Sequence, residues 1–191
     1  MRIIAGEHRG RKLLPPKGGV TRPITDRVKT ALFDYLGGDL PGATVVDLFA
    51  GTGSMGLEAL SRGAARCYFA ERDRIALDRL ARNIEAMGLS ESCRIWRGDI
   101  LQRLSAWLDE LDGPADLAFV DPPYALVAQW QWAQAAAKIF NPLAAKLAGD
   151  GIVMFRCERN AELPAAFGLL SLRERRDYGG MSLLLLRRSG D

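Results

Sequence analysis

Histidine and cysteine are scarce in this chain of 191 residues: one histidine, His8, and three cysteines, Cys67, Cys93 and Cys157. The cysteines stand far apart and form no C-x-x-C pair. That argues against a disulfide framework and a zinc site and favours a reducing cytoplasm. With a single histidine, metal ligation or a histidine-based triad is not expected. No apolar run approaches the roughly 18 residues of a membrane-spanning helix. The opening Met1-Arg2-Ile3-Ile4-Ala5-Gly6-Glu7-His8 has no apolar h-region, so it is not expected to be a signal peptide. Internal repeats and low-complexity tracts are absent. What remains is ordinary for a folded domain: 48% hydrophobic and 26% charged residues. A chain of this length buries roughly 70% of its unfolded surface and needs no staple.

The net charge of +3 is unevenly spread. Residues 1–29 hold eight basic side chains (Arg2, Arg9, Arg11, Lys12, Lys17, Arg22, Arg27, Lys29) against Glu7 and Asp26, which leaves −3 for the rest. Arginine outnumbers lysine 21 to 5. Guanidinium forks bind phosphate bidentately and stack on bases. A basic arm on a nearly neutral body points to a polyanion partner.

Two regions follow: a basic arm over 1–23 and a larger domain over 24–191. In the arm, two short extended runs around a turn suggest a hairpin, and Pro15-Pro16-Lys17-Gly18-Gly19 a loop. Thr25-Asp26 opens a helix with Val28, Leu32, Tyr35 and Leu36 on one face, stopped by Gly37-Gly38. Beyond it strand and helix alternate. Strands are expected over 43–49, 66–71, 94–96, 116–121 and 151–156. Helices are expected over 54–62, 75–87 (Ile75, Leu77, Leu80, Ile84 and Met87 inward), 101–111 and much of 127–147. A hairpin of 169–173 and 181–186 closes the chain. Such alternation gives a parallel, doubly wound sheet with its active edge at the strand C-termini.

The first motif with chemistry is Asp47-Leu48-Phe49-Ala50-Gly51-Thr52-Gly53-Ser54-Met55-Gly56, a G-x-G-x-x-G between a strand and a helix. Glu71 lies 20 residues past Gly51, at the end of the second strand, where a carboxylate can accept ribose hydroxyls. A dinucleotide and S-adenosylmethionine (AdoMet) both fit. Asp47 weighs for AdoMet, because a carboxylate before the glycines disfavours a pyrophosphate but suits an ammonium and a sulfonium. Asp99, just past the third strand, stands where it can accept from an adenine amino group, or simply make a turn.

The second motif is Asp121-Pro122-Pro123-Tyr124, at the end of the fourth strand. Two prolines fix the backbone and remove two amide donors. The Asp121 carboxylate and Pro122 carbonyl remain as acceptors for a substrate NH2, and Tyr124 offers a flat face to a base. An exocyclic amino nitrogen is a poor nucleophile because its lone pair is delocalised into the ring. Two acceptors on its hydrogens favour sp3 geometry and restore that pair, and positioning supplies much of the acceleration. A base in structured nucleic acid must first be unstacked or flipped out.

D-P-P-Y in this place looks like the signature of nucleic-acid amino methyltransferases. The chain as a whole, from residue 1 to about 187, resembles the bacterial 16S ribosomal RNA guanine-N2 methyltransferases of the RsmD type. The resemblance rests on both motifs and on Met1-Arg2-Ile3-Ile4-Ala5-Gly6, Arg9-Gly10-Arg11-Lys12-Leu13, Thr21-Arg22-Pro23-Ile24-Thr25-Asp26-Arg27-Val28 with Leu32-Phe33, Gly56-Leu57-Glu58-Ala59-Leu60-Ser61-Arg62-Gly63-Ala64 and Tyr178-Gly179. It implies a Rossmann-like class I methyltransferase fold, α/β, whose seven-stranded, mostly parallel sheet has its last strand antiparallel between the fifth and sixth. It implies AdoMet held by Asp47, Gly51, Gly53, Glu71 and Asp99 with their neighbours Phe49, Ala50, Thr52, Arg72 and Ile100, and with Thr25 or Arg27 at the methionine carboxylate. Asp121, Pro122, Pro123 and Tyr124 would hold the guanine. Arg2, His8, Arg9, Arg11, Lys12, Arg22 and Arg27 would grip 16S ribosomal RNA of the small subunit. The scattered cysteines, the single histidine, the lack of a long apolar run and the small size lead to the expectation of a cytoplasmic monomer with no metal and no membrane partner.

Other readings stay open at this point. D-P-P-Y does not separate guanine N2 from adenine N6, nor RNA from DNA. An RNA-binding assembly factor that retains a cofactor pocket and a nicotinamide oxidoreductase are further alternatives. His8 reads as an exposed turn residue or as a base or phosphate contact. Trp130 and Trp132 read as a helix face packed on the sheet or as a stacking surface for RNA.

Overall fold

The structure, a computed structural model, describes residues 1–16, 24–38 and 40–190. The expected Lys17 to Gly19 part of the loop and Arg22 lie outside the described residues. The chain divides into two units, Met1–Gly98 and Asp99–Asp191. Seven strands make a mixed, mostly parallel sheet in an α/β fold. Among the described residues no helix is long and apolar enough to cross a membrane.

The first unit carries α1 (Asp26–Tyr35), β1 (Thr44–Leu48), α2 (Ser54–Ser61), β2 (Arg66–Glu71), α3 (Arg74–Ala86) and β3 (Cys93–Arg97). Its strands lie in the order β3-β2-β1, both pairs parallel. Val45, Val46 and Leu48 of β1 and Cys67, Phe69 and Ala70 of β2 are fully buried, as parallel strands covered on both faces require. Two expectations fail here. On α1 the buried residues are Val28, Lys29, Leu32 and Phe33, while Tyr35 is exposed: the apolar face turns toward Phe33. On α3, Leu77, Leu80 and Ile84 are buried but Ile75 is 47% exposed, because it sits in the first turn beside the cap Asp73. The expected hairpin in the arm is short: Arg2 and Lys12 form an antiparallel bridge, flanked by the Ile3 amide donating to the Arg11 carbonyl at 3.0 Å and the Leu13 amide donating to the Met1 carbonyl at 3.1 Å.

The second unit carries α4 (Ile100–Leu108), β4 (Ala115–Val120), α5 (Tyr124–Val127), α6 (Trp132–Ala135), α7 (Asn141–Lys146), β5 (Leu147–Glu158), β6 (Leu170–Tyr178) and β7 (Met181–Arg188). Its order is β4-β5-β7-β6, with β7 antiparallel to both neighbours. The helix expected over much of 127–147 is found over 132–146, but it is not regular. Residues 128–131 separate α5 from α6, and Ala136–Phe140 form a widened π-type turn just ahead of Pro142 in the first turn of α7. Proline lacks an N–H and its ring crowds the carbonyl four residues back, so a regular helix cannot run through this point.

Candidate active site

The glycine motif forms the loop between β1 and α2. Phe49 opens it at φ 61°, the one non-glycine residue in the left-handed region among the described residues. Strain of this kind persists where surrounding structure overdetermines the chain, and it concentrates at ligand sites. The Ala50 amide donates to the Ala70 carbonyl at 3.0 Å, which ties the loop to β2. Gly51 has φ 57° and open space where a Cβ would stand, so a ligand can reach its backbone. Gly53 has φ 86°, and a Cβ there would lie 2.5 Å from Leu80 Cδ1 on α3.

Two carboxylates hold this loop. Asp47, buried at the end of β1, accepts from the Gly56 amide at 2.9 Å and so fixes the first turn of α2. Glu71 accepts from the amides of Gly51 (2.8 Å), Arg72 (2.7 Å) and Asp73 (2.8 Å). A carboxylate has about four acceptor sites, which leaves room for about one further donor. Arg72 is exposed beside it. Thr52 is buried, and its carbonyl accepts from Asn83 Nδ2 at 2.9 Å. Thr25, exposed, caps α1 by accepting from the Val28 amide.

In the second unit Asp99 caps α4, accepting from the Leu101 amide at 2.8 Å, and Ile100 is buried behind it. Asp121 to Tyr124 follow β4 directly. Pro122 is buried, Pro123 precedes α5, and Tyr124 begins it, half-buried. Asp121 is ion-paired with Arg156 of β5 at 2.5 Å, the guanidinium 5% and the carboxylate 19% exposed. The Arg156 guanidinium also lies over the Tyr124 ring, 5.5 Å from its centroid. Burial pushes the Asp121 carboxyl above the usual range, and Arg156 pulls it back part of the way. Burial likewise raises the Tyr124 phenol, and Arg156 opposes it. The thiols are not activated: burial pushes Cys93 to about 12 and Cys157 to about 11.

Arg156 was not among the expected site residues. Its signal was one cation at the end of the apolar run Ile152-Val153-Met154-Phe155. Glu58, read only as part of a family stretch, proves to be a buried junction. It accepts from the amides of Ile4 (2.8 Å) and Ala5 (3.0 Å), pairs with Lys29 at 2.9 Å and with Arg62 at 3.0 Å. Burial lowers the Lys29 ammonium below its usual value, and Glu58 opposes that shift. Lys29 therefore belongs to the interior, not to the basic face of the arm.

The remaining arm residues divide. Arg2 pairs with Asp26 at 2.9 Å, both partly exposed. Arg11 donates to the Ala86 carbonyl. Arg9, Lys12 and Arg27 are exposed on the arm and α1. His8 is half-buried and its amide donates to Ser61 Oγ at 3.0 Å. Trp130 and Trp132 enter an aromatic cluster: Trp130 stacks on Phe155 of β5, centroids 5.8 Å apart and planes 16° apart, and Trp132 meets Phe155 and Phe167 edge-on. That is the packed reading of the two.

The family described as "Conserved hypothetical protein 95" matches residues 1–187. The chain is 33% identical over 190 residues, all of both chains, to the Bacillus subtilis protein named "Putative rRNA methyltransferase YlbH". It is 38% identical over 124 residues to "Ribosomal RNA small subunit methyltransferase D" of Escherichia coli K12, a match covering 65% of this chain and 60% of that one. The solved structure "Putative methyltransferase yhhF from Escherichia coli" superposes with a TM-score of 0.79 at 31% identity, covering 100% of this chain and 99% of the other. With the glycine loop after β1, D-P-P-Y after β4 and β7 antiparallel between β5 and β6, the chain belongs to this family, the RsmD-type methyltransferases.

Proposed function

We propose that the protein transfers a methyl group from AdoMet to the exocyclic N2 of a guanine in 16S ribosomal RNA. The observation that carries this is the Asp121-Pro122-Pro123-Tyr124 turn at the end of β4, its carboxylate held by Arg156. AdoMet, when bound, supplies an electrophilic methyl on a sulfonium. The first unit's residues fit it: an open backbone at Gly51, a Glu71 carboxylate with acceptor capacity left, and no basic side chain between Asp47 and Gly56 to suit a pyrophosphate.

Asp121 and the Pro122 carbonyl accept the two N–H bonds of the guanine amino group. The lone pair is thereby withdrawn from the ring and aimed outward. Tyr124 stacks on the extruded base. As the nitrogen gains positive charge, the Asp121 carboxylate stabilises it, and the proton leaves to Asp121 or water. The relatives named as ribosomal RNA methyltransferases support the substrate class, and the outward-facing Arg9 and Lys12 support a polyanion. Asp47 acts from beneath, through Gly56, and Asp99 stands at the start of α4 for the adenine amino group.

The test is to incubate the protein with methyl-labelled AdoMet and small ribosomal subunits lacking their own methylations, then digest the RNA and identify the labelled nucleoside. N2-methylguanosine is expected. A labelled N6-methyladenosine would move the target to adenine. No label, with AdoMet bound, would overturn the reaction on this substrate.

A further inference from the structure

Asn83 lies in the last turn of α3, 3% exposed. Its side-chain amide bonds two different segments. Nδ2 donates to the Thr52 carbonyl, inside the Gly51-Thr52-Gly53 turn, at 2.9 Å. Oδ1 accepts from the amide of Leu14 in the arm at 2.8 Å, and Nδ2 also reaches the Leu14 carbonyl at 3.4 Å. The amide side chain thus satisfies backbone groups of both the cofactor loop and the arm.

The bonds around it repeat the pattern. Arg79 donates to the Pro15 carbonyl, and Arg11 donates to the Ala86 carbonyl. Positions 79, 83 and 86 are spaced i, i+4 and i+7, which is one face of a helix. The arm is therefore laid along a single stripe of α3. Of the stripe's three bonded positions, Asn83 is the one that also bonds the glycine loop.

A buried amide with both ends committed cannot turn without leaving backbone groups unpaired, and a buried unpaired polar group is costly. A shift of Thr52 must then be met by a shift of Asn83, and through it of Leu14. Packing and hydrogen-bond chains with few arrangements carry coupling in this way.

We infer that Asn83 is a positioning residue that couples AdoMet binding at the glycine loop to ordering of the N-terminal arm. This rests on reading that loop as the AdoMet site. By linkage the coupling is reciprocal: RNA that orders the arm raises the affinity for AdoMet by the same factor that AdoMet raises affinity for RNA.

The experiment is residue-resolved amide exchange on the full chain, with and without saturating AdoMet, binding being verified by calorimetry. The Ile4 amide, which is held in the arm by Glu58 and not by Asn83, is the internal reference. In the wild-type chain AdoMet slows Leu14 exchange by about fivefold or more, and Ile4 exchange by less. In Asn83→Ala, AdoMet still binds, and Leu14 responds no more than Ile4. Ligand stabilisation of the whole fold would slow both amides alike, so equal slowing in the wild type overturns the inference. Unchanged Leu14 exchange with AdoMet bound overturns it as well, and this needs no variant to fold. Absence of AdoMet binding would instead overturn the functional reading, and the inference with it.

Discussion

Arg156 Nε stands 2.5 Å from Asp121 Oδ1, and the same guanidinium lies over the Tyr124 ring. One cation on β5 thus holds both the carboxylate and the aromatic side chain of the D-P-P-Y turn. It also opposes the burial that raises the Asp121 carboxyl. A neutral carboxyl is a much poorer acceptor, so the proposed function requires Asp121 to be ionised. Turnover is then low at acid pH and rises as pH climbs through the raised Asp121 pKa. Arg156→Met removes the cation that lowers this pKa, so the acid limb of kcat/KM moves to higher pH. The plateau also falls by about tenfold or more, about 1.4 kcal/mol of transition-state stabilisation. Coincident acid limbs in the two proteins would refute this role.

Glu58→Gln removes the one anion that faces both Lys29 and Arg62 in the interior. Breaking a buried ion pair from one side costs about 3–5 kcal/mol, since the partner stays charged and uncompensated. The urea midpoint should fall accordingly at unchanged slope. A loss below about 1 kcal/mol would mean that the two cations find other acceptors.

Much of this was legible in the sequence, and for a physical reason. Buried parallel strands such as Val45-Val46 and Phe119-Val120 read as apolar runs, and Asp47 to Gly56 and Asp121 to Tyr124 are contiguous, so local pattern carries them. The unread parts are bonds between residues distant in the chain. Arg156 meets Asp121 across 35 positions, Glu58 meets Ile4 across 54, and Asn83 meets Leu14 across 69. Arg156 and Glu58 are polar residues in apolar stretches, and such a residue announces a partner without naming it; Asn83 stands between Arg82 and Ile84 and announces nothing. The π-type widening of the helix before β5 was hidden differently: Asn141-Pro142 is visible in the sequence, but the helical composition around it gives no sign of how the turn ahead of the proline adjusts.

Gly6→Ala should detach the arm. Gly6 has φ 79°, and a Cβ there would run into the Ser61 carbonyl, which is backbone and cannot turn aside. The amides of Ile4, Ala5 and His8, now held by Glu58 and Ser61, should exchange faster. Affinity for ribosomal RNA should fall by about tenfold, about 1.4 kcal/mol. Undiminished RNA affinity with a loosened arm would show that the arm is not where RNA is held.

The charges of the arm are separable by what they already hold. Arg11 donates to the Ala86 carbonyl and Arg2 is paired with Asp26, whereas Arg9 and Lys12 are turned to solvent. Replacing Arg9 and Lys12 by serine therefore tests phosphate binding with the least disturbance of the fold. Removing one cation that neutralises a phosphate should reduce the slope of log affinity against log salt by roughly 0.7 to 0.9. The double variant should show about twice that reduction, keep its AdoMet affinity and keep its urea midpoint. Arg11→Ser should behave differently, loosening the arm on α3 as well as weakening RNA binding. An unchanged salt slope in the double variant would place the RNA elsewhere on the protein, because the slope counts displaced counterions and is indifferent to base recognition.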